Sequence, residues 1–337
     1  MNPFLEKIAS QINFVVDETI DLGPVTVRLV SNISDFAAIR YFSKKARRPY
    51  QNERTDFEIR CISLKNERLE LQTIRENIDK TYRGTSFSDG YYATDHFGSP
   101  VYMVSSGKTY FVFGDQLECV VWTYFVKYFL ILHTIEKNAL FLKSAAIAVN
   151  GKGTLLLGRG GTGKTSFLSI MCMYGAEFVT NSHSVINQGR ITGIASSLRV
   201  RPDNWMLELL NPQNVIPALR PGEIIVDPAD QFTLAESLPE LKNICVVDYR
   251  KPARHVIKLL SDEEAYNYAE QFALGLNVYR LEEDLLDHFE GDLWQFSAVY
   301  ERMKAHLGNI ISNSDCYYVS SNLMEKKNRE EVFGLFS

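Results

Sequence analysis

The chain changes its hydrophobic rhythm near residue 138. Before that point, short apolar runs alternate with turn residues: PVTVRLV at 24–30, FEIRCISL at 57–64, SPVYMVSS at 99–106 and TYFVFG at 109–114. Alternation over four to eight residues, bounded by Gly, Pro, Asn, Asp and Ser, predicts half-buried strands. SSGK at 105–108 separates the last two runs, and its Gly107 suits a tight hairpin turn. An apolar stretch, CVVWTYFVKYFLILHT, follows and is interrupted only by Lys127. At sixteen residues it falls short of a bilayer span, and it predicts a buried helix between about residues 118 and 137.

From residue 140 the runs become more continuously apolar. LFLKSAAIAV and TLLLG predict two strands joined by Asn150-Gly151, a dipeptide that favours a two-residue hairpin. Residues 165–174 predict a helix ending at Gly175, which can adopt the left-handed terminal conformation. EFVT predicts a strand, SVINQGRITGI a hairpin around 187–189, and LKNICVVDYR a buried strand. SDEEAYNYAEQFALGL opens with Ser261 as a cap and acids in the first turn, the start of a helix. The division expected is a mixed α+β unit over 1–137, with a role in acceptor selection, and a nucleotide-binding unit over 138–337 with a helical C-terminal part.

Composition narrows the function classes. With 36 Lys and Arg against 41 Asp and Glu, the net charge of −5 gives no electrostatic reason to expect nucleic acid or an anionic membrane as partner. The basic cluster KKARR at 44–48 is expected to be a solvated surface loop. The five cysteines are odd in number and far apart, fitting buried thiols in a reducing cytoplasm, and the scattered histidines form no zinc constellation. MNPFLEKIAS lacks the pattern of a secretion signal.

The chemistry concentrates at GRGGTGKTS, 158–166. Gly158, Gly163, Lys164 and Thr165 satisfy the phosphate-loop pattern in its required context, after an apolar strand and before a helix. Gly160, Gly161 and Gly163 let backbone N–H groups converge on phosphate oxygens. Lys164 is placed to bridge the terminal phosphates of ATP, and the Thr165 hydroxyl to ligate Mg2+. Arg159, Thr162 and Ser166 complete the nucleotide-facing stretch.

LKSAAIAVNGKGTLLLGRGGTGKTSFLSIM, followed by GAEFVTNSHSVI, resembles the HPr kinase superfamily, whose core is related to phosphoenolpyruvate carboxykinase. The resemblance extends more weakly through SLRVRPDNW and NICVVDYRKPARHVIKLLSDEEAYNYAEQ, and covers residues 138–275. It implies an α/β fold built on a mixed sheet, in which a β-hairpin leads directly into the phosphate loop. It also implies a kinase that phosphorylates a hydroxyl of a protein, peptide or small molecule. Lys143 stands where the family often carries His, and remains able to contact phosphate. The family's acidic pair, metal partner and base, falls on Asn181 and Ser182.

Three readings of the missing acid follow. Asn181 can accept a hydrogen bond from metal-bound water but cannot take a proton. His183 is either a polar turn residue or an acceptor base at the loop mouth, since imidazole titrates near neutrality. Asp248 ends ICVVD in the form of a Walker-B strand, either as a magnesium partner or as the polar end of a buried strand. Cationic help is expected from Arg159, Arg199 and Arg201, the last two alternating onto one face, or these are solvated arginines; Arg254 and His255 are weaker candidates. The expectation is therefore an ATP- and Mg2+-dependent kinase acting on a peptide or small-molecule hydroxyl, with homo-oligomerisation left open. The competing classes are a nucleotide-binding regulatory or scaffold protein and an ordinary P-loop NTPase.

Overall fold

The computed structural model describes residues 3–67, 87–88, 91–92, 101–201, 205–212, 216–218, 222–249 and 255–337. The fold is α/β with mixed sheets. The first sheet contains β1 (Val16–Asp21), β2 (Thr26–Ser31), β3 (Arg47–Pro49), β4 (Phe57–Ser63), β5 (Phe87–Ser88), β6 (Tyr91–Tyr92), β7 (Val101–Ser106) and β8 (Thr109–Gly114). Its order is β3-β1-β2-β4-β8-β7-β6-β5, with β2, β4 and β8 mutually parallel. The predicted alternation is visible in β8. Tyr110 and Val112 face the core helix Glu118–Lys137, whereas Phe111 and Phe113 face the N-terminal helix Pro3–Gln11 through Leu5, Ile8 and Ile12.

The second sheet contains β9 (Leu140–Leu142), β10 (Ala145–Val149), β11 (Lys152–Leu157), β12 (Glu177–Thr180), β13 (Ser184–Asn187) and β14 (Arg190–Gly193). A small three-stranded sheet, β15 (Leu198–Val200), β16 (Ile216–Pro217) and β17 (Ile224–Val226), stands apart. β18 (Glu240–Val247), β19 (Val256–Leu259) and β20 (Asp315–Ser320) return to the second sheet. β10 and β11 form the expected hairpin, with Asn150 at φ 52° and Gly151 at φ 77°, both left-handed as the tight turn requires. β11, β18 and β20 run parallel, so their C-terminal ends point the same way. Helix Lys164–Met173 covers one face through Phe167, Leu168 and Met171, against Ile147, Leu156 and Cys245. The opposite face, with Ala146, Leu155, Leu157 and Ile244, shares a core with the Glu118–Lys137 helix and the first sheet.

That helix is therefore the layer between the two sheets. It is 20 residues long and, among the described residues, it is the helix whose length and composition would allow a membrane crossing. Within its most apolar window, 67% is buried inside the fold. Val121–Phe125 form a π-helical turn within it, immediately before Val126 and Lys127.

Two expectations, the KKARR loop and the shared strand of Arg199 and Arg201, are corrected, and the Ser261 helix is found to end early. KKARR is not a free loop: Ala46 is buried, Lys44 pairs with Asp230, and Arg47–Pro49 is an edge strand whose Arg47 and Arg48 pair with Glu18 and Glu53. The helix begun by the Ser261 and Glu264 capping box stops at Phe272, and Gly275–Tyr279 is a separate helix. The break is tertiary, because Lys143 N–H donates to the Ala273 carbonyl at 2.7 Å and Leu142 bridges to Leu274. Finally, β15 ends at Val200, which leaves Arg201 beyond the strand that carries Arg199. The cysteines are all free, and all but Cys119 are buried.

Candidate functional site at the phosphate-loop edge

Sheet topology brings four chain segments to one edge. The phosphate loop leaves the C-terminal end of β11. The start of β10 lies alongside, since Ala145 pairs with Leu156. β12 runs antiparallel to β10 with Thr180 opposite Ala146, so Asn181, Ser182 and His183 emerge at the same edge, as does Lys143 just before β10. On the other side Leu157 pairs with Val246, so Asp248 follows the neighbouring parallel strand.

The loop is held from within. Thr162 is buried, its hydroxyl donates to the Arg159 carbonyl at 2.9 Å, and its own carbonyl accepts from Tyr249 N–H at 2.8 Å. Gly163 has φ 84°, and a Cβ there would lie 2.7 Å from Tyr249 Cβ, so only glycine fits the step into the helix. The Lys164 ammonium folds back onto the carbonyls of Gly158 and Arg159. Burial, with a contribution from Lys143, lowers its pKa to about 8. Gly160 and Gly161 are exposed, leaving the loop's outer surface open. Ser166, at the first turn of the helix, donates to Met206 Sδ at 2.8 Å.

Thr165 donates to Asn181 Oδ1 at 3.1 Å. The residue expected to ligate metal and the residue on which the resemblance would place an acid are thus in direct contact. A hydroxyl and an amide oxygen are donors that suit a hard cation such as Mg2+, and Asp248, just past the end of the adjacent strand, carries a carboxylate on the same edge of the sheet. Asp248 accepts a hydrogen bond from Tyr318 at 3.4 Å, and its N–H donates to the Val319 carbonyl. Among the described residues no group of three or more His, Cys, Asp or Glu side chains is placed to hold a metal ion.

His183 departs from its expected place. It is 2% exposed and packs among the rings of Trp122, Phe141 and Tyr279. Its Nδ1 shares a hydrogen bond of 3.1 Å with the Tyr279 hydroxyl, while Nε2 is buried without a partner. Desolvation first, then the charges of Lys127, Arg199 and Lys143, hold its pKa well below the usual imidazole value. Burial and the surrounding cations thus weigh against a base titrating near neutrality at this position. Ser182 beside it also has a buried, unpartnered hydroxyl.

Of the arginines, Arg199 is drawn toward this region, with its guanidinium 5.9 Å from the Tyr41 ring centroid. Arg159 is exposed over Phe272 at 5.8 Å, and Arg201 is exposed beyond the strand end. His255 is occupied elsewhere, by Ser321 and Glu331, and Arg254 lies outside the described residues. Lys127 and Tyr279 join the site without having been singled out by sequence. Lys127 Nζ lies 4.5 Å from the Tyr279 ring centroid and Lys143 Nζ 5.6 Å from it. The only sequence signal for Lys127 is that it breaks an otherwise apolar helix, a position where an unpaired charge needs a reason. Neither the protein-family models nor the curated proteins searched match this chain.

Proposed function

We propose that the chain is an ATP- and Mg2+-dependent kinase that transfers the γ-phosphoryl group to a hydroxyl of a peptide or small-molecule acceptor. The observation that carries this reading is the Thr165–Asn181 contact at the head of the loop helix, at the sheet edge that also carries Lys143 and Asp248. Lys164 leaves the loop carbonyls to neutralise the β- and γ-phosphates. Backbone N–H groups at the helix N-terminus hold the phosphate oxygens. Thr165 and Asn181 orient the metal and its water, and Asp248 supplies the nearest strand-end carboxylate. ATP with Mg2+ supplies the activated phosphoryl group. Transfer passes through a loose transition state, so positioning and positive charge carry the rate, and the absence of the family's acidic pair is compatible with turnover.

A second reading, an NTPase that hydrolyses ATP without an acceptor, is favoured by one observation: Asp248 ends the strand parallel and adjacent to the one feeding the phosphate loop. Mass spectrometry and free-phosphate measurement after incubation with ATP, Mg2+ and a panel of hydroxyl acceptors separate the two. A phosphorylated acceptor, lost in Lys164→Ala, is expected. Free phosphate at the same rate with and without acceptors identifies the NTPase. Tight ATP binding with neither product identifies a nucleotide-binding regulatory protein.

A further inference from the structure

Beside the phosphate loop lies a group of three cations, of which the nucleotide reading gives Lys127 no role and leaves Lys143 and Arg199 without a described anionic partner. Lys127 comes from the core helix, Lys143 from the link between β9 and β10, and Arg199 from β15. Tyr279, at the end of its short helix, is the common neighbour of the two lysines, with both ammonium groups within 6 Å of its ring, while Arg199 lies over Tyr41 and is near enough to act on Tyr279 and His183 through its charge. None of the three cations forms an ion pair with a described residue. A cation–π contact offsets on the order of 0.5–2 kcal/mol, which is small against the cost of desolvating an ammonium. The result shows on Lys127, whose pKa falls to about 8 through burial and the repulsion of Lys143 and Arg199.

A second observation is independent of the charges. His183 Nε2 and Ser182 Oγ are buried without partners in the same region. When the Tyr279 phenol donates to His183 Nδ1, Nε2 carries the proton and becomes a donor. Buried polar atoms are nearly always satisfied, so unpaired donors beside unpaired cations describe a site whose missing component is an anion.

We infer that Lys127, Lys143 and Arg199, grouped about Tyr279 and His183, bind a phosphate monoester carried by the acceptor, so that the substrate class is a hydroxyl compound already bearing one phosphate. This rests on the kinase reading for the hydroxyl, but the anion site is defined by its own residues. Three positive groups match a dianion better than a singly charged carboxylate. Lys143 stands just before β10, whose first residue pairs with the strand that feeds the loop, so the cluster reaches the same edge of the sheet.

The test is calorimetry on the full chain saturated with a non-hydrolysable ATP analogue and Mg2+, so that the loop is filled, using inorganic phosphate and acetate as probes. One further equivalent of phosphate should bind, more tightly than acetate. Lys127→Met should weaken it about 10-fold or more, the scale of one charged hydrogen bond, with analogue affinity changed less than about 2-fold. Arg199→Gln, at an exposed position, should weaken it in the same direction and serves if Lys127→Met misfolds. No further equivalent means that the cations serve the nucleotide's own terminal phosphate and overturns the inference, leaving the kinase reading intact. Acetate binding as tightly as phosphate overturns the phosphate assignment. If the analogue itself does not bind, the kinase reading fails, and the site is then judged on phosphate alone: weakening by Lys127→Met but not by Lys164→Ala supports it, and the reverse overturns it.

Discussion

Lys127 is held at a cost that can be measured without knowing any substrate. Its pKa falls from the ordinary 10.5 to about 8, with desolvation as the largest cause and Lys143 and Arg199 adding repulsion. At 1.36 kcal/mol per pKa unit, the charged ammonium is disfavoured by roughly 3 kcal/mol in the folded state relative to the unfolded chain. The side chain is partly exposed, so solvent screening reduces the expected gain from removing it to about 1–3 kcal/mol. Lys127→Met keeps the length and the apolar stem while deleting the charge, and should stabilise the protein by that amount at pH 7. The sign follows from linkage. Between pH 8 and 10.5 the unfolded state binds the proton more strongly, so the wild type gains stability as pH rises through this window. The advantage of the variant should therefore shrink over the same range and vanish above it. Lys164, also shifted to about 8, titrates in both proteins and cancels in the difference. Urea denaturation of wild type and variant at pH 7, 8, 9 and 10 measures the gap. A variant less stable at pH 7, or a gap that does not change with pH, would refute the picture of an unpaired, desolvated cation.

Gly163→Ala should lose nucleotide affinity at least 100-fold and cost about 1–3 kcal/mol of stability, because the new methyl meets Tyr249 at a left-handed φ; calorimetry and thermal unfolding read the two effects. For His183, whose imidazole stays neutral in the fold, no activity limb should centre near pH 6.5, and His183→Gln should leave the shape of the pH–rate profile unchanged. In the unfolded chain the same imidazole takes a proton below pH 6.5, so wild-type stability should fall as pH drops through that value and the variant's should fall less, as denaturant titrations at pH 7 and 5 will show. Asn181→Asp places a carboxylate against Thr165 and should lower the Mg2+ concentration for half-maximal turnover about 10-fold; an unchanged requirement separates Asn181 from the metal.

What the sequence made legible was local. The hairpin at Asn150-Gly151, the passage from strand through the 158–163 loop into the following helix, and the Ser261 cap each depend on residues within a few positions of one another, and each is present. The face alternation of β8 follows from strand geometry alone. The misplacements are all tertiary. TNSH reads as a polar surface turn, yet Trp122 and Phe141, from the core helix and β9, close over His183. Arg199 and Arg201 share a face only if the strand continues, and β15 ends between them. The helix after Ser261 is interrupted by pairing with the chain just before β10, a contact that no local pattern contains. Lys127 was visible as an interruption, but which way it points depends on two sheets and a helix assembled from distant segments.

The π-helical turn over Val121–Phe125 gives that last dependence a sharp form. A π turn accommodates one residue more than the α-helix around it, so everything after it is rotated by about 100° relative to an uninterrupted helix of the same start. Lys127 follows the turn by two positions. Winding the turn into regular α geometry with all its residues kept would swing Lys127 away from Tyr279, along with every core contact up to Lys137, whereas excising one residue from the turn would relieve the bulge and keep that phase. The angular phase of the helix, set by one inserted amino acid, is thus what joins the packing of the two sheets to the charge at the phosphate-loop edge. A one-residue deletion is therefore expected to be better tolerated in this turn than in the α-helical stretch that follows it.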